Sequence, residues 1–322
     1  MRSTREEVII VQLFLFFRIT YRKLNIKGGA LLNKCFSGLI VPLITPFKNG
    51  AVDFYSLEKI TDYLLQGGAD AFVALGTTAE TPTLTEKEKK EILCFLLKHS
   101  CGKKVFAGAG SNCTAVATEL SKEYERLGAD GILSVTPYYN RPQEVGLFAH
   151  YLKISHSVNI PVLLYDVPKR CGTELSIELV KKLSKLKNIT GIKLASDDIC
   201  KFKNLKTELN NFDLYCGNDL LADEELVMGA TGIISAAANA VPKLFSELIR
   251  LQRENKNASL KELFAEERGT VKLLYCETNP AAIKYYMSLS GLCENELRLP
   301  MCPISRKNAA KVNNLFFKKE LI

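Results

Sequence analysis

Asn188-Ile189-Thr190-Gly191-Ile192-Lys193 is the stretch on which the reading of this 322-residue chain turns. Residues 189–192 are short, β-branched and apolar, the pattern of a strand buried on both faces, and they stop at a lysine. An ammonium at the end of a buried strand has two readings. Either the side chain reaches water where the strand ends, or its charge is unwanted because it is to attack a carbonyl. On the order of one ordinary lysine in a thousand is neutral at pH 7, so a nucleophilic lysine needs an apolar setting.

Around this segment, short apolar runs alternate with helical spacing. Strands are expected at 39–44, 71–75, 105–107, 132–135, 162–165, 189–193, 214–216 and 232–235. Helices are expected between and after them, at 56–66, 86–98, 114–127, 145–157, 176–186, 199–209, 220–228 and 242–254. Repeated βα units imply a parallel sheet, and eight of them close into a (β/α)8 TIM barrel. An open doubly wound sheet competes, but no G-x-G-x-x-G follows the first strand. Beyond the eighth unit the pattern turns helical (259–276, 280–290, 305–318), which predicts a C-terminal helical appendage used for packing or subunit contact. The expected division is an N-terminal extension over 1–34, a catalytic barrel over 35–256 and the helical region over 257–322.

Composition narrows the function. With 47% hydrophobic residues the chain builds a sizeable core, as a soluble globular protein does. Of its +8 net charge, +5 falls in residues 1–34, where Arg2, Arg5, Arg18, Arg22, Lys23, Lys27 and Lys34 face only Glu6 and Glu7. No basic stripe interleaved with aromatics is left for nucleic acid. Ten cysteines without a C-x-x-C pair read as buried hydrophobes of a reducing cytoplasm, and three histidines (His99, His150, His156) without i,i+4 spacing speak against a catalytic metal. The apolar run 8–17 is too short for a membrane span and lacks a signal-peptide cleavage site. Lys27-Gly28-Gly29 is encodable by a ribosome-binding-like tract and Leu32 by a TTG start, so residues 1–34 are expected to be a mis-assigned start or a disordered extension.

In a barrel the chemistry sits just after the strands. The second strand is followed by Gly76-Thr77-Thr78-Ala79-Glu80-Thr81, whose hydroxyls and N–H groups suit a carboxylate. The fourth is followed by Thr136-Pro137-Tyr138-Tyr139-Asn140-Arg141-Pro142, in which two adjacent tyrosines cannot face the same way. The fifth ends at Tyr165 and carries Arg170, placed either to clamp a carboxylate or to pair with Asp166. An amine, phenols and anion-holding donors, with almost no carboxylates, point to carbonyl chemistry on an anionic substrate and away from a two-carboxylate glycosidase.

From residue 36 onward the chain resembles the dihydrodipicolinate synthase and N-acetylneuraminate lyase family of class I, Schiff-base aldolases. Six motifs carry the resemblance in order: Gly76-Thr77-Thr78-x-Glu80, the tyrosine-pair segment from Val135 to Pro142, Leu164-Tyr165-x-Val167-Pro168-x-Arg170, Gly191-Ile192-Lys193, Glu277-Thr278-Asn279-Pro280 and Leu297-Arg298-Leu299-Pro300. The tyrosine pair and Arg170 resemble the synthase branch. The resemblance implies that Lys193 forms an imine with pyruvate, that the enamine attacks L-aspartate 4-semialdehyde, and that cyclisation gives 4-hydroxy-tetrahydrodipicolinate on the way to diaminopimelate and lysine. It implies a proton relay of Tyr165, Thr77 and Tyr139, with Tyr139 acting across a subunit interface of a dimer or tetramer. Thr78 would hold the pyruvate carboxylate, Arg170 that of the aldehyde substrate, and Gly217 and Ile234 would line the pyruvate pocket, with no cofactor or metal.

Four residues depart from the family pattern: Ala79 for glycine, Asp166 for asparagine, Cys171 for threonine and Leu194 for glutamate. Ala79 would be costly if that backbone needs positive φ, and a carboxylate at Asp166 would hold Lys193 in its charged form if it lay close. At the positions of the family's lysine-feedback site stand Glu86, Lys89 and Val116, with Asn112 and Tyr138 retained, which implies weak or absent lysine inhibition. The rivals are a sialic acid or keto-deoxy sugar acid lyase of the same family, a catalytically silent binding homologue, and a metal-dependent aldolase.

Overall fold

The computed structural model describes residues 36–320; the expectations for the N-terminal extension lie outside them. Eight parallel strands form a closed barrel in sequential order: β1 Gly38–Pro42, β2 Ala71–Ala74, β3 Lys104–Gly108, β4 Gly131–Val135, β5 Val162–Asp166, β6 Ile189–Leu194, β7 Asp213–Cys216 and β8 Gly232–Ile234. The helices after them are α1 Phe54–Gln66, α2 Glu86–His99, α3 Thr114–Leu127, α4 Glu144–Ser157, α5 Ile177–Leu183, α6 Ile199–Glu208, α7 Ala222–Val227 and α8 Pro242–Arg253. Three more follow, α9 Asn257–Leu274, α10 Ala281–Leu289 and α11 Arg306–Glu320. Among the described residues no helix is long and apolar enough to cross a membrane.

The boundaries differ from the sequence reading where local chemistry intervenes. The segment expected as one helix over 220–228 opens as a 3-10 turn at Asp219–Leu221, because the Asn218 side chain accepts from Leu220 N and bends the entry. A small hairpin of Phe47–Lys48 against Ala51–Val52 was not anticipated. Its turn is Asn49-Gly50, with φ of 53° and 80°, the left-handed pair that a two-residue hairpin needs.

The strands alternate between two apolar layers. Ile40, Val73, Phe106, Leu133, Leu163, Tyr165, Tyr215 and Ile234 fill the barrel. Leu39, Val41, Phe72, Leu164, Ile192, Leu194 and Cys216 point outward under the helices. Period-two alternation therefore sends Tyr165 inward and its neighbour Asp166 outward. The pairing of β5 with β6 sets Tyr165 opposite Lys193 and Asp166 opposite Leu194.

Asp166 is consequently turned away from Lys193. Its fully buried carboxylate accepts a hydrogen bond from Lys201 Nζ on α6 at 2.6 Å and another from Leu175 N at 3.2 Å. Burial pushes this carboxyl up, and the Lys201 ammonium pulls against that. The charge at Asp166 serves α6 and leaves the barrel interior alone.

A buried ion pair is costly to break from one side. Lys201→Met is expected to destabilise the fold by about 3–5 kcal/mol, and adding Asp166→Asn should recover most of that loss. Urea unfolding of the two single variants and the double variant measures both effects.

Candidate active site

At the C-terminal end of the barrel lies a cavity of 270 Å³. Six residues expected from the sequence line it together: Thr77, Thr78, Tyr165, Arg170, Lys193 and Gly217. Lys193 is 6% exposed, so its strand end does not deliver it to bulk water. Its Nζ lies 4.5 Å from the centre of the Tyr165 ring, a contact that follows from the β5–β6 register. Gly217 is required by the backbone of β6 and by the lysine's stem alike. A Cβ there would sit 2.7 Å from Lys193 Cγ and 2.6 Å from Leu194 O.

The turn after β2 carries Thr77 and Thr78 in a single 3-10 turn, Thr77–Ala79. Ala79 is not at positive φ; that geometry falls on Leu75 (φ 58°) and Glu80 (φ 53°) on either side. The alanine therefore carries none of the left-handed cost anticipated for it. Glu80 is held in its place by a buried network. Its Oε1 accepts Lys284 Nζ of α10 at 2.6 Å and its Oε2 accepts Arg298 N at 3.0 Å. Arg298 in turn makes a bidentate pair with Glu88 at 2.9 and 2.6 Å. That hydrogen bond holds the Glu88 carboxyl down at about 2. Lys284 and Arg298 both rest against the Phe47 ring, at 4.3 and 4.4 Å.

Arg170 sits in a helical turn, Pro168–Cys171, closed by Gly172 at φ 65°. It is free of Asp166, whose carboxylate belongs to Lys201. Its Nη2 donates instead to Asn279 O at 3.3 Å. Two expected residues are not among those lining the cavity. Ile234 is fully buried inside the barrel, and Ala236 lines the cavity from β8's exit. Tyr139 is 89% exposed at φ 73°, on a loop where Arg141 also has positive φ (44°).

Several lining residues had no role expected from the sequence, among them Asp219, Tyr275 and Asn279. Asp219 is buried, and its Oδ2 accepts Ala237 N at 2.9 Å and the Tyr275 hydroxyl at 2.5 Å. Burial pushes its carboxyl up, and burial together with Asp219 pushes the Tyr275 phenol well up. Tyr275 and Asn279 come from the C-terminal helical region, so that region does more than pack. The signal for Asn279 was present in the Glu277-Thr278-Asn279-Pro280 motif but carried no assigned role.

A buried amine beside a phenol, faced by hydroxyls and a guanidinium at the mouth of a barrel, is the site of an enzyme that works on carbonyl compounds through a lysine imine. Residues 35–318 match the model of the dihydrodipicolinate synthetase family, and the chain belongs to that family. It is 41% identical over 288 residues to a 4-hydroxy-tetrahydrodipicolinate synthase from Campylobacter jejuni, covering 88% of this chain and 97% of that protein. The crystal structure of dihydrodipicolinate synthase from Aquifex aeolicus superposes with a TM-score of 0.86 at 36% identity, over 89% of this chain and 99% of the other. The chloride-inhibited Acinetobacter baumannii dihydrodipicolinate synthase, solved with pyruvate, gives a TM-score of 0.86 at 36% identity over 89% and 99% of the two chains.

Because Gly217 makes room for the lysine, Gly217→Ala is expected to slow imine formation at Lys193 at least tenfold without abolishing folding. The rate of reductive trapping with pyruvate, read beside a thermal melt, checks this.

Proposed function

We propose that this chain condenses pyruvate with L-aspartate 4-semialdehyde to give 4-hydroxy-tetrahydrodipicolinate, through a Schiff base on Lys193. The observation that carries the reading is the buried Lys193 amine against Tyr165, in a cavity lined by Thr77, Thr78 and Arg170. Membership of the dihydrodipicolinate synthetase family and the synthase named in Campylobacter jejuni support it.

The chemistry follows from these groups. The neutral Lys193 amine adds to the pyruvate carbonyl carbon, and water leaves to give a protonated imine. The iminium acidifies the methyl group, a base removes one of its protons, and the enamine carbon attacks the aldehyde carbon of the second substrate. The aldehyde oxygen gains a proton and becomes the 4-hydroxyl. The α-amino group of the second substrate then adds to the imine carbon, closes the ring and expels Lys193 as the free amine.

Tyr165 and Thr77 are the proton carriers of these steps, being phenol and hydroxyl on the same cavity as the amine. Thr78 receives the pyruvate carboxylate, and Arg170 at the mouth receives that of the aldehyde substrate. Gly217 shapes the pyruvate end. Ile234 acts from beneath, as the buried floor of the barrel. Tyr139 reaches the site of a second copy: an 89% exposed tyrosine held at positive φ on its own chain is a side chain presented outward. The working unit is accordingly a homo-oligomer, a dimer or tetramer. The nine cysteines among the described residues are all free, in keeping with a reducing cytoplasm.

Lysine is a poor regulator of this enzyme. Lys89 Nζ pairs with Glu86 at 2.7 Å, and the exposed Val116 supplies no charge where an ammonium would need a partner.

Incubation with pyruvate and borohydride should add the reduced pyruvyl group at Lys193 and nowhere else, as peptide mass spectrometry reads, and Lys193→Arg should abolish it. A wild-type chain left unmodified would end the Schiff-base reading. Activity on aspartate semialdehyde should retain at least half its rate in lysine of about millimolar concentration; half-inhibition below that would refute the regulatory part.

A further inference from the structure

The hydroxyls around the turn after β2 divide into two kinds. Thr45 Oγ1 donates to Ala79 O at 2.8 Å, and Thr81 Oγ1 donates to Gly76 O at 2.8 Å. Each commits its one proton to the backbone of the turn. Thr78 does the opposite. Its Oγ1 accepts from Asn279 Nδ2 at 3.0 Å, and this is the hydroxyl's one hydrogen bond among the described residues.

A threonine hydroxyl has one proton and two lone pairs. An amide N–H filling a lone pair leaves the proton to be donated elsewhere, and Thr78 lines the cavity. The same Asn279 accepts from Arg170 Nη2 through its backbone carbonyl at 3.3 Å. One residue of the C-terminal region thus touches both groups that hold carboxylates, one through its side chain and one through its main chain.

We infer that Asn279 is a positioning residue that sets the polarity of Thr78: by donating into Oγ1, it commits the hydroxyl proton to the cavity, where it meets the carboxylate of the 2-oxo acid. The inference rests on the reading that Thr78 receives pyruvate. With Asn279 in place one lone pair is filled and the hydroxyl's proton is left for the cavity, which favours an anion over a neutral ketone of the same shape. If the amide oxygen faced Thr78 instead, the hydroxyl proton would be consumed within the protein and the carboxylate would lose its donor.

Asn279→Asp decides between the two arrangements, because it keeps the shape and can only accept while ionised. In that variant the introduced carboxylate accepts a hydrogen bond from the Thr78 hydroxyl and places a negative charge beside the substrate's. KM for pyruvate is expected to rise about ten- to hundred-fold, with a much smaller change in kcat. The rise should shrink as the pH is lowered through the titration of the introduced carboxyl, which then donates again, while the wild type shows no such recovery. Asn279→Ala, which adds no charge, should raise KM less and without the pH-dependent recovery. In a Thr78→Val background, Asn279→Asp should raise KM by a smaller factor than it does with Thr78 present, because only the charge effect is left and the hydroxyl's share is gone.

A wild-type KM for pyruvate in Asn279→Asp, or equal and pH-independent rises in Asn279→Asp and Asn279→Ala, would overturn the inference. Trapping of pyruvate on Lys193 in the wild type is read in parallel. Its failure would strike the proposed function itself, whereas successful trapping with an indifferent Asn279→Asp strikes only the role of Asn279.

Discussion

The register between β5 and β6 is the constraint on which the rest of the site depends. Pairing Tyr165 with Lys193 brings the phenol ring to 4.5 Å from the amine, and the same pairing sets Asp166 opposite Leu194 on the outer face. A slip of one residue would exchange the two faces. The carboxylate would enter the barrel beside the lysine, and the phenol would be buried under the helices. The outward ion pair of Asp166 with Lys201 and the inward packing of Tyr165 are two expressions of one alignment. The space for the lysine's stem comes from the next strand, where Gly217 leaves the volume that a Cβ would occupy.

A second layer of constraint comes from outside the barrel. The turn bearing Thr77 and Thr78 is irregular, with left-handed residues on both sides, and its own bonds, such as Thr81 Oγ1 to Gly76 O, tie it only locally. It is fixed in the fold largely by the C-terminal region. Lys284 and the Arg298 backbone grip Glu80, and Asn279 grips Thr78. The Lys284 and Glu80 side chains are almost wholly buried, which ties the placement of the turn to the packing of α10. The Asn49-Gly50 hairpin closes the circuit, since Gly50 O accepts from Arg298 and Phe47 lies beneath both cations. The helical region beyond the eighth unit is therefore part of the active end of the barrel.

Much of this was legible beforehand. Eight apolar runs spaced by helical patterns favour a closed parallel barrel, and strand ends in such a barrel converge on one mouth, so Lys193, Tyr165, Thr77, Thr78 and Arg170 stood out by position, whereas Gly217 was named only through the family resemblance. Asp219 and Tyr275 did not stand out. A carboxyl two residues past Gly217 and a tyrosine at the end of a long helix look like surface residues until folding buries one against the other. Ile234 illustrates the converse: being at a strand end did not make it a cavity-lining residue, because β8 is short and its exit is covered by Ala236.

The sequence by itself determined the barrel and set Lys193 at the end of its sixth strand, because periodicity and strand order are local properties of the chain; that Asp166 is turned away from Lys193 emerged with the register of the sheet. Only the tertiary structure decided which groups complete the mouth. Asn279 meets Thr78 across 201 positions and Lys284 meets Glu80 across 204. No local pattern encodes such a contact, since it exists only once the barrel has closed and the C-terminal helices have docked against it.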